Sequence, residues 1–396
     1  MTEIPLKPGS KIQISDVVDQ AERAVQMVNQ VRTRMLAPNA SKQAPIFSLT
    51  QLASICGTDK GQIAYRITKG DLPSGQLNIT GSRREFNLQE VRIWAKSFRS
   101  GMLRPKDARA ITIAVGNFKG GVSKTTTAMV MAQGLSLRGH RVLLIDADPQ
   151  ASLTTLFGIM RDTEIAECQT IVPLTTGDEK TIRPAIQSTY WDGIDLVAAS
   201  PTLFSAEFVL PARQMKDPKF QFWDVLNLGL EDIRDEYDVI IIDTPPSLSY
   251  VTINAFMAAD GLVVPLPPSA LDFASSAQFW SLFSDLASNL VESAGLTKTF
   301  DFINVLLARV DSSDAASDVV RSWITATYGE KVLPVEIPKT TVTSASSAEF
   351  GTVYDISKYD GNLRTYKRAR DAYDRVNDLI ETAVRMSWTS QINEGL

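Results

Sequence analysis

The sequence predicts an α/β fold: a mostly parallel sheet with helices on both faces, preceded by a small basic module and an N-terminal helix. Three observations carry this. From residue 110 onward, short Val- and Ile-rich runs alternate with helix-like segments, the βαβ order that makes neighbouring strands parallel. One of these runs, Ile111–Val115, stops at Gly116 and passes through a glycine loop into a helix. Residues 1–110 hold 17 Lys/Arg against 9 Asp/Glu, although the 396-residue chain as a whole carries a net charge of −5.

Composition bounds the answer. The length allows two or three domains, divided here as 1–45, 46–107 and 108–396. No apolar run approaches a membrane span, and the start MTEIPLKPGS lacks the apolar stretch of a secretory signal. Cys56 and Cys168 lie far apart, with neither metal spacing nor a disulfide framework, which suits a reducing cytoplasm. The single histidine, His140, sits beside Arg141 and reads as a surface residue, which leaves little room for histidine-based catalysis.

In chain order, residues 1–14 are expected to fray. A helix then runs from Ser15 to about Met35 and is ended by Pro38. Val18, Ala21, Val25, Val28 and Met35 share heptad spacing, with Arg32 as the polar break. That spacing fits a dimerisation helix and fits equally a helix packed on its own chain. Residues 37–45 read as a linker. Ser48 with Gln51 forms a capping box, and Phe47 with Leu52 a hydrophobic staple, for a short helix ending at Gly57. Thr58 and Asp59 cap a second helix, Lys60–Thr68, with Lys60, Gln62, Tyr65 and Arg66 as candidate DNA contacts. Gln76–Thr80, a Gly81-Ser82 turn and Arg83-Arg84-Glu85-Phe86 read as a hairpin wing with arginines at its tip. Asn87 with Glu90 caps a further helix to Phe98. This module resembles the MerR-like winged helix-turn-helix, and its charge excess favours DNA binding over a small adaptor with incidental basic residues. Residues 100–109 link it to the rest. Strands are expected at Ile111–Val115, Val142–Ile145, Ile194–Val197, Val239–Ile242, Leu262–Val264, Phe302–Leu307 and Val332–Val335.

The chemistry concentrates in ITIAVGNFKGGVSKTTT, residues 111–127. Strand, glycine turn and helix N-terminus make a phosphate site, because loop N–H groups and the helix dipole point one way. Set against G-x-x-x-x-G-K-[ST], Lys124 pairs with the β/γ-phosphates and the Thr125 hydroxyl binds Mg²⁺. Phe118 and Ser123 occupy the two glycine positions. Lys119, Gly120, Gly121, Val122, Ser123 and Thr126 complete the cradle. Val142–Ile145 runs into Asp146-Ala147-Asp148, and Val239–Ile242 into Asp243. Asp243 is the Walker B candidate for Mg²⁺, with Asp146 supporting the metal shell. Asp148, just past its strand, is placed to orient the attacking water. Lys119 would neutralise charge developing on the phosphates.

NFKGGVSKTTT, VLLIDADPQASLT and VIIIDTPPSLS, in this order, resemble the ParA family of DNA-partition ATPases over about residues 110–385. The resemblance implies a P-loop NTPase sheet and a weak Mg²⁺-dependent ATPase that forms a homodimer with ATP. Lys119 would act across that dimer. It implies nonspecific DNA binding, stimulation by a ParB-like centromere-binding partner and a cytoplasmic, nucleoid-associated location. The winged module is similar to that of longer plasmid-type members, which bind operator DNA and repress their own operon. In the family, loops corresponding to Arg309 and Pro338 flank adenine. A basic C-terminal surface binds DNA nonspecifically, which here points to Arg364, Lys367 and Arg368 on a last helix, 362–385. On that helix Leu363, Tyr366, Tyr373, Val376 and Ile380 form the apolar face, with Arg375 among the opposite charges. Phe118 and Ser123 depart from the family pattern close to the phosphate, and Ser123 is expected to slow turnover. The tail 386–396 lacks the character of the membrane anchor in the related MinD proteins. Two other readings compete: an ATP-liganded transcriptional regulator without a motor role, and a P-loop amide-forming synthetase, which leaves the basic module unexplained.

Overall fold

The computed structural model describes residues 11–36, 41–159, 164–295, 297–311, 313–340, 351–356 and 362–395. The chain divides into two units, 1–43 and 44–396. In the first, α1 (Ile14–Leu36) forms where the heptad pattern places a helix. Pro38 and the Met35 side chain lie outside the described residues.

The second unit opens with β1 (Phe47–Ser48), α2 (Leu49–Cys56), α3 (Lys60–Lys69), β2 (Gln76–Leu77), β3 (Arg84–Phe86) and α4 (Leu88–Phe98). Local chemistry sets these bounds. Ser48 and Gln51 cap α2 reciprocally, Asn87 and Glu90 do the same for α4, and Asp59 accepts from the Gln62 N–H at the start of α3. Phe47, Leu52, Ile63, Phe86 and Trp94 are buried together beneath these elements. The three strands form an antiparallel sheet in the order β1-β3-β2. The first wing strand is shorter than Gln76–Thr80. Asn78 Oδ1 accepts from the Ser82 and Arg83 N–H groups and closes the turn directly after Leu77.

The segment after α4 is fastened to the main sheet. Arg104 donates to Asp238 at 3.0 Å and to the Asp235 carbonyl, and Arg109 donates to Glu231 at 2.8 Å. Beyond it come β4 (Ile111–Val115), α5 (Lys124–Leu137), β5 (Val142–Asp146), α6 (Ser152–Leu156), α7 (Val172–Thr176), β6 (Gln187–Ser188) and β7 (Ile194–Val197). Then follow α8 (Ala206–Lys216), α9 (Val225–Leu230), β8 (Val239–Asp243), α10 (Tyr250–Ala258), β9 (Gly261–Leu266) and α11 (Ala270–Ala294). The chain closes with β10 (Phe302–Val310), α12 (Ala315–Tyr328), β11 (Val332–Pro338) and α13 (Leu363–Glu394). All seven expected strands are present, in an eight-stranded sheet ordered β11-β10-β9-β4-β8-β5-β7-β6. Pairing is parallel throughout except at β6, an antiparallel edge strand too short to show a sequence pattern. β4, β5, β8 and β9 are buried at every position, as strands covered on both faces must be.

The molecule departs from expectation in two further places. The last helix runs to Glu394, past residue 385, because Val384 and Trp388 continue its buried stripe; Leu363, expected on that stripe, is exposed. Asn377 of α13 lies so close to α5 that a Cβ at Gly134 would meet it at 2.2 Å, so only glycine permits the approach. His140 is fully buried, not superficial. Its Nε2 lies 2.8 Å from Glu381 of α13, its ring packs against Trp388, and Arg99 pairs with the same carboxylate. Burial pushes the Glu381 carboxyl up, but His140 and Arg99 together bring it below its ordinary range. Arg92 of α4 donates to the Ser136 and His140 carbonyls and pairs with Asp192. The winged module thus sits at the C-terminal end of α5, whose N-terminal end carries Lys124.

Candidate nucleotide site

β4, β5 and β8 lie side by side, and in register Val115 stands beside Asp243 and Asp243 beside Asp146. Their carboxyl ends open on a cleft of about 740 Å³. Ligands of open α/β sheets bind at this edge. Gly120, Gly121, Ser123, Lys124, Thr125 and Thr126 line one wall. Asp148, Gln150, Arg309 and Pro338 line the others. Val122 is buried behind the loop.

Gly121 takes φ 76°, where glycine costs nothing. Ser123 takes φ 77°, a left-handed conformation that strains any residue with a Cβ by about 1–2 kcal/mol. The Lys124 ammonium donates to the Lys119 carbonyl at 2.8 Å and is buried, which lowers its proton affinity; Asp243 and Asp148 oppose that shift. Arg309 donates to the Gly121 carbonyl at 2.6 Å, so the end of β10 is joined to the phosphate loop. Phe118 does not face phosphate. Its ring packs edge-on against Phe279 at 4.5 Å, which makes it an anchor of the loop. Lys119 pairs with Asp272 near the start of α11 at 2.6 Å.

The three carboxylates differ. Asp148 lines the cleft and accepts the Gln150 N–H at 2.8 Å. Asp243 is fully buried, and neither of its oxygens has a hydrogen-bond donor in bonding geometry. Burial raises its pKa well above the ordinary range, with the nearby Asp146 adding to the shift; Thr125 and Lys124 work against it. A buried, unpartnered carboxylate close to a threonine hydroxyl is the oxygen set a hard divalent cation takes, so Thr125 and Asp243 fit Mg²⁺. Asp146 is different. Its Oδ2 accepts from the Thr154 N–H and hydroxyl at 2.8 and 2.7 Å, its Oδ1 from the Asp148 N–H at 3.2 Å. Burial pushes its pKa up to about 7 against these bonds. Neither Asp146 nor Asp243 is among the residues that line the cleft; what sets Asp146 apart is its three hydrogen bonds, two of them from Thr154.

Beyond the cleft, Lys60, Gln62, Tyr65 and Arg83 are exposed on the winged module. Arg66 is drawn back: it pairs with Asp71 at 2.8 Å and lies over the Phe98 ring. Arg84 donates to the Ser74 carbonyl and braces the wing. Arg364, Lys367 and Arg368 line a separate groove with Arg375 and the edge strand β11. Gln150 and Thr154 fall within the run VLLIDADPQASLT, but the sequence alone singles out neither as a site residue.

Residues 110–294 match the family model described as an AAA domain. Over 283 residues the chain is 32% identical to the chromosome-partitioning ATPase Soj of Thermus thermophilus, an alignment covering 70% of this chain and 100% of Soj. The chain belongs to the ParA/Soj family of partition ATPases. A solved structure described as a partition protein superposes with a TM-score of 0.64, covering 93% of this chain and 98% of that one at 19% identity. A crystal structure of cobyrinic acid a,c-diamide synthase from Mycobacterium smegmatis, with bound ADP and magnesium, is 28% identical with a TM-score of 0.51. It covers 68% of this chain and 93% of that chain. Among the described residues, no helix of this ParA/Soj member is long and apolar enough to cross a membrane.

Proposed function

We propose that this chain is a Mg²⁺-dependent ATPase that segregates plasmid or chromosomal DNA, switching between ATP and ADP states. The observation that carries the reading is a lysine-bearing glycine loop, with Thr125 and Asp148, lining one cleft at the carboxyl ends of three parallel strands. Lys124 and the loop N–H groups hold the phosphates, and Arg309 and Pro338 border the adenine. Thr125 and Asp243 hold the magnesium, which supplies charge neutralisation when bound. Asp148 orients the attacking water. Lys119, tied to Asp272 in the single chain, is released to the facing phosphates when two chains dimerise. α1 supplies a second contact between the chains.

Two surfaces serve DNA. Lys60, Gln62, Tyr65 and Arg83, with Arg66 and Arg84 behind them, read operator DNA and let the protein repress its own operon. Arg364, Lys367 and Arg368 bind DNA without sequence preference. A ParB-like centromere-binding protein stimulates hydrolysis, and the protein works in the cytoplasm on the nucleoid. The test is the ATPase rate alone, with DNA, and with the product of the adjacent downstream gene. Joint stimulation by DNA and that product supports the motor role; ATP binding with no stimulated turnover leaves a nucleotide-liganded regulator. In a gel-shift titration, Arg83→Ala with Arg84→Ala weakens operator binding, and full affinity would remove the wing assignment.

A further inference from the structure

We propose that Thr154 is a positioning residue for hydrolysis: through Asp146 it fixes, from behind, the loop that presents Asp148 to the phosphate cleft. The proposal rests on the ATPase reading above and adds a residue that touches neither nucleotide nor metal.

The hydroxyl of Thr154 is used in both directions. It donates to Asp146 Oδ2 at 2.7 Å and accepts the Ala199 N–H at 2.9 Å, just beyond β7. The Thr154 N–H donates to the same carboxylate oxygen at 2.8 Å. The other oxygen of Asp146 accepts the Asp148 N–H at 3.2 Å. One buried carboxylate therefore joins the tip of β5, the backbone of Asp148, the start of α6 and, through the hydroxyl, the next strand. The loop between is tightly closed. The Asp148 carbonyl accepts the Ala151 N–H at 2.8 Å, and buried Ala151 sits at φ 52°. A non-glycine residue keeps such a conformation only where its surroundings over-determine it. Asp148 and Gln150 face the cleft, whereas Asp146 and Thr154 do not. Both acceptor positions of Asp146 Oδ2 are taken by Thr154, and Oδ1 holds the Asp148 N–H, so the fully buried carboxylate is engaged on both oxygens.

Shape and hydrogen bonding separate cleanly at this position. Valine matches threonine in outline but neither donates nor accepts; serine does both. In the full-length protein, with DNA present, Thr154→Val should lower kcat at least tenfold, with KM for ATP and the half-saturating Mg²⁺ concentration within twofold. Deuterium uptake over residues 146–152 should rise in the same variant. Thr154→Ser should recover at least half of the wild-type kcat. The proposal is overturned if T154V keeps kcat within twofold of wild type, or if T154S is as impaired as T154V. It is also overturned if T154V weakens ATP or Mg²⁺ binding tenfold, the sign that Asp146 reaches the metal. Asp148→Ala runs alongside. Wild-type turnover in D148A removes the role given to Asp148, whatever Thr154 does; an inactive D148A with a normal T154V removes only the latch.

Discussion

The tips of β5 and β8 stand side by side, each ending in a fully buried aspartate, and the two residues pair in register. Their surroundings are opposite. Asp146 accepts three hydrogen bonds, whereas Asp243 has no donor in bonding geometry. Leaving a buried carboxylate unsatisfied is costly, and a fold keeps such a group where a ligand completes it. The difference teaches that two acids at adjacent strand ends can share a location and still differ in environment. One is bonded to its own loop and the helix after it, and the other has no such donor. Sequence position alone assigned both to the metal.

The contrast is open to attack from both sides. The largest expected effect is on Asp243. Asp243→Ala should cut Mg²⁺-dependent phosphate release about a hundredfold without lowering the thermal midpoint, because the buried carboxyl it removes accepts no hydrogen bond in good geometry. A lowered midpoint would erase the distinction. Asp146→Ala should cost about 2 kcal/mol in urea unfolding, because it strands the Thr154 and Asp148 donors. Ser123→Gly relieves the left-handed strain in the phosphate loop and should raise steady-state turnover up to about fivefold, a rate equivalent of about 1 kcal/mol. An unchanged or slower rate would show that the strain does not bear on hydrolysis. Least affected is thiol chemistry. Cys168 is exposed, while burial pushes the Cys56 thiol up to about 12. One equivalent of a thiol reagent should react with the native protein and two in denaturant; two in the native state would mean the winged module opens readily.

Much of this was legible in the chain. The phosphate loop and the strands are local or repetitive signals: a glycine pair before a lysine, Val/Ile runs buried on both faces, and side-chain caps three residues from their donors. What escaped depends on partners distant in sequence. Arg138-Gly139-His140-Arg141 reads as a polar surface turn, yet its imidazole is claimed by Glu381, 241 residues on. Lys119 meets Asp272, and Phe118 turns towards Phe279. No periodicity encodes such meetings. Arg66 fails differently: its acceptor, Asp71, is only five residues away, but a left-handed turn at Gly70 delivers it, and helical spacing does not reveal that turn.

The buried imidazole has a practical consequence. With one histidine in 396 residues, the protein carries a single imidazole NMR signal, and it stands where the winged module, α5 and α13 converge. Adding nucleotide, operator duplex or partner to the unmodified chain and watching that one ring resonance would show whether events at the far end of α5 are felt at the junction, with no label attached and no residue changed.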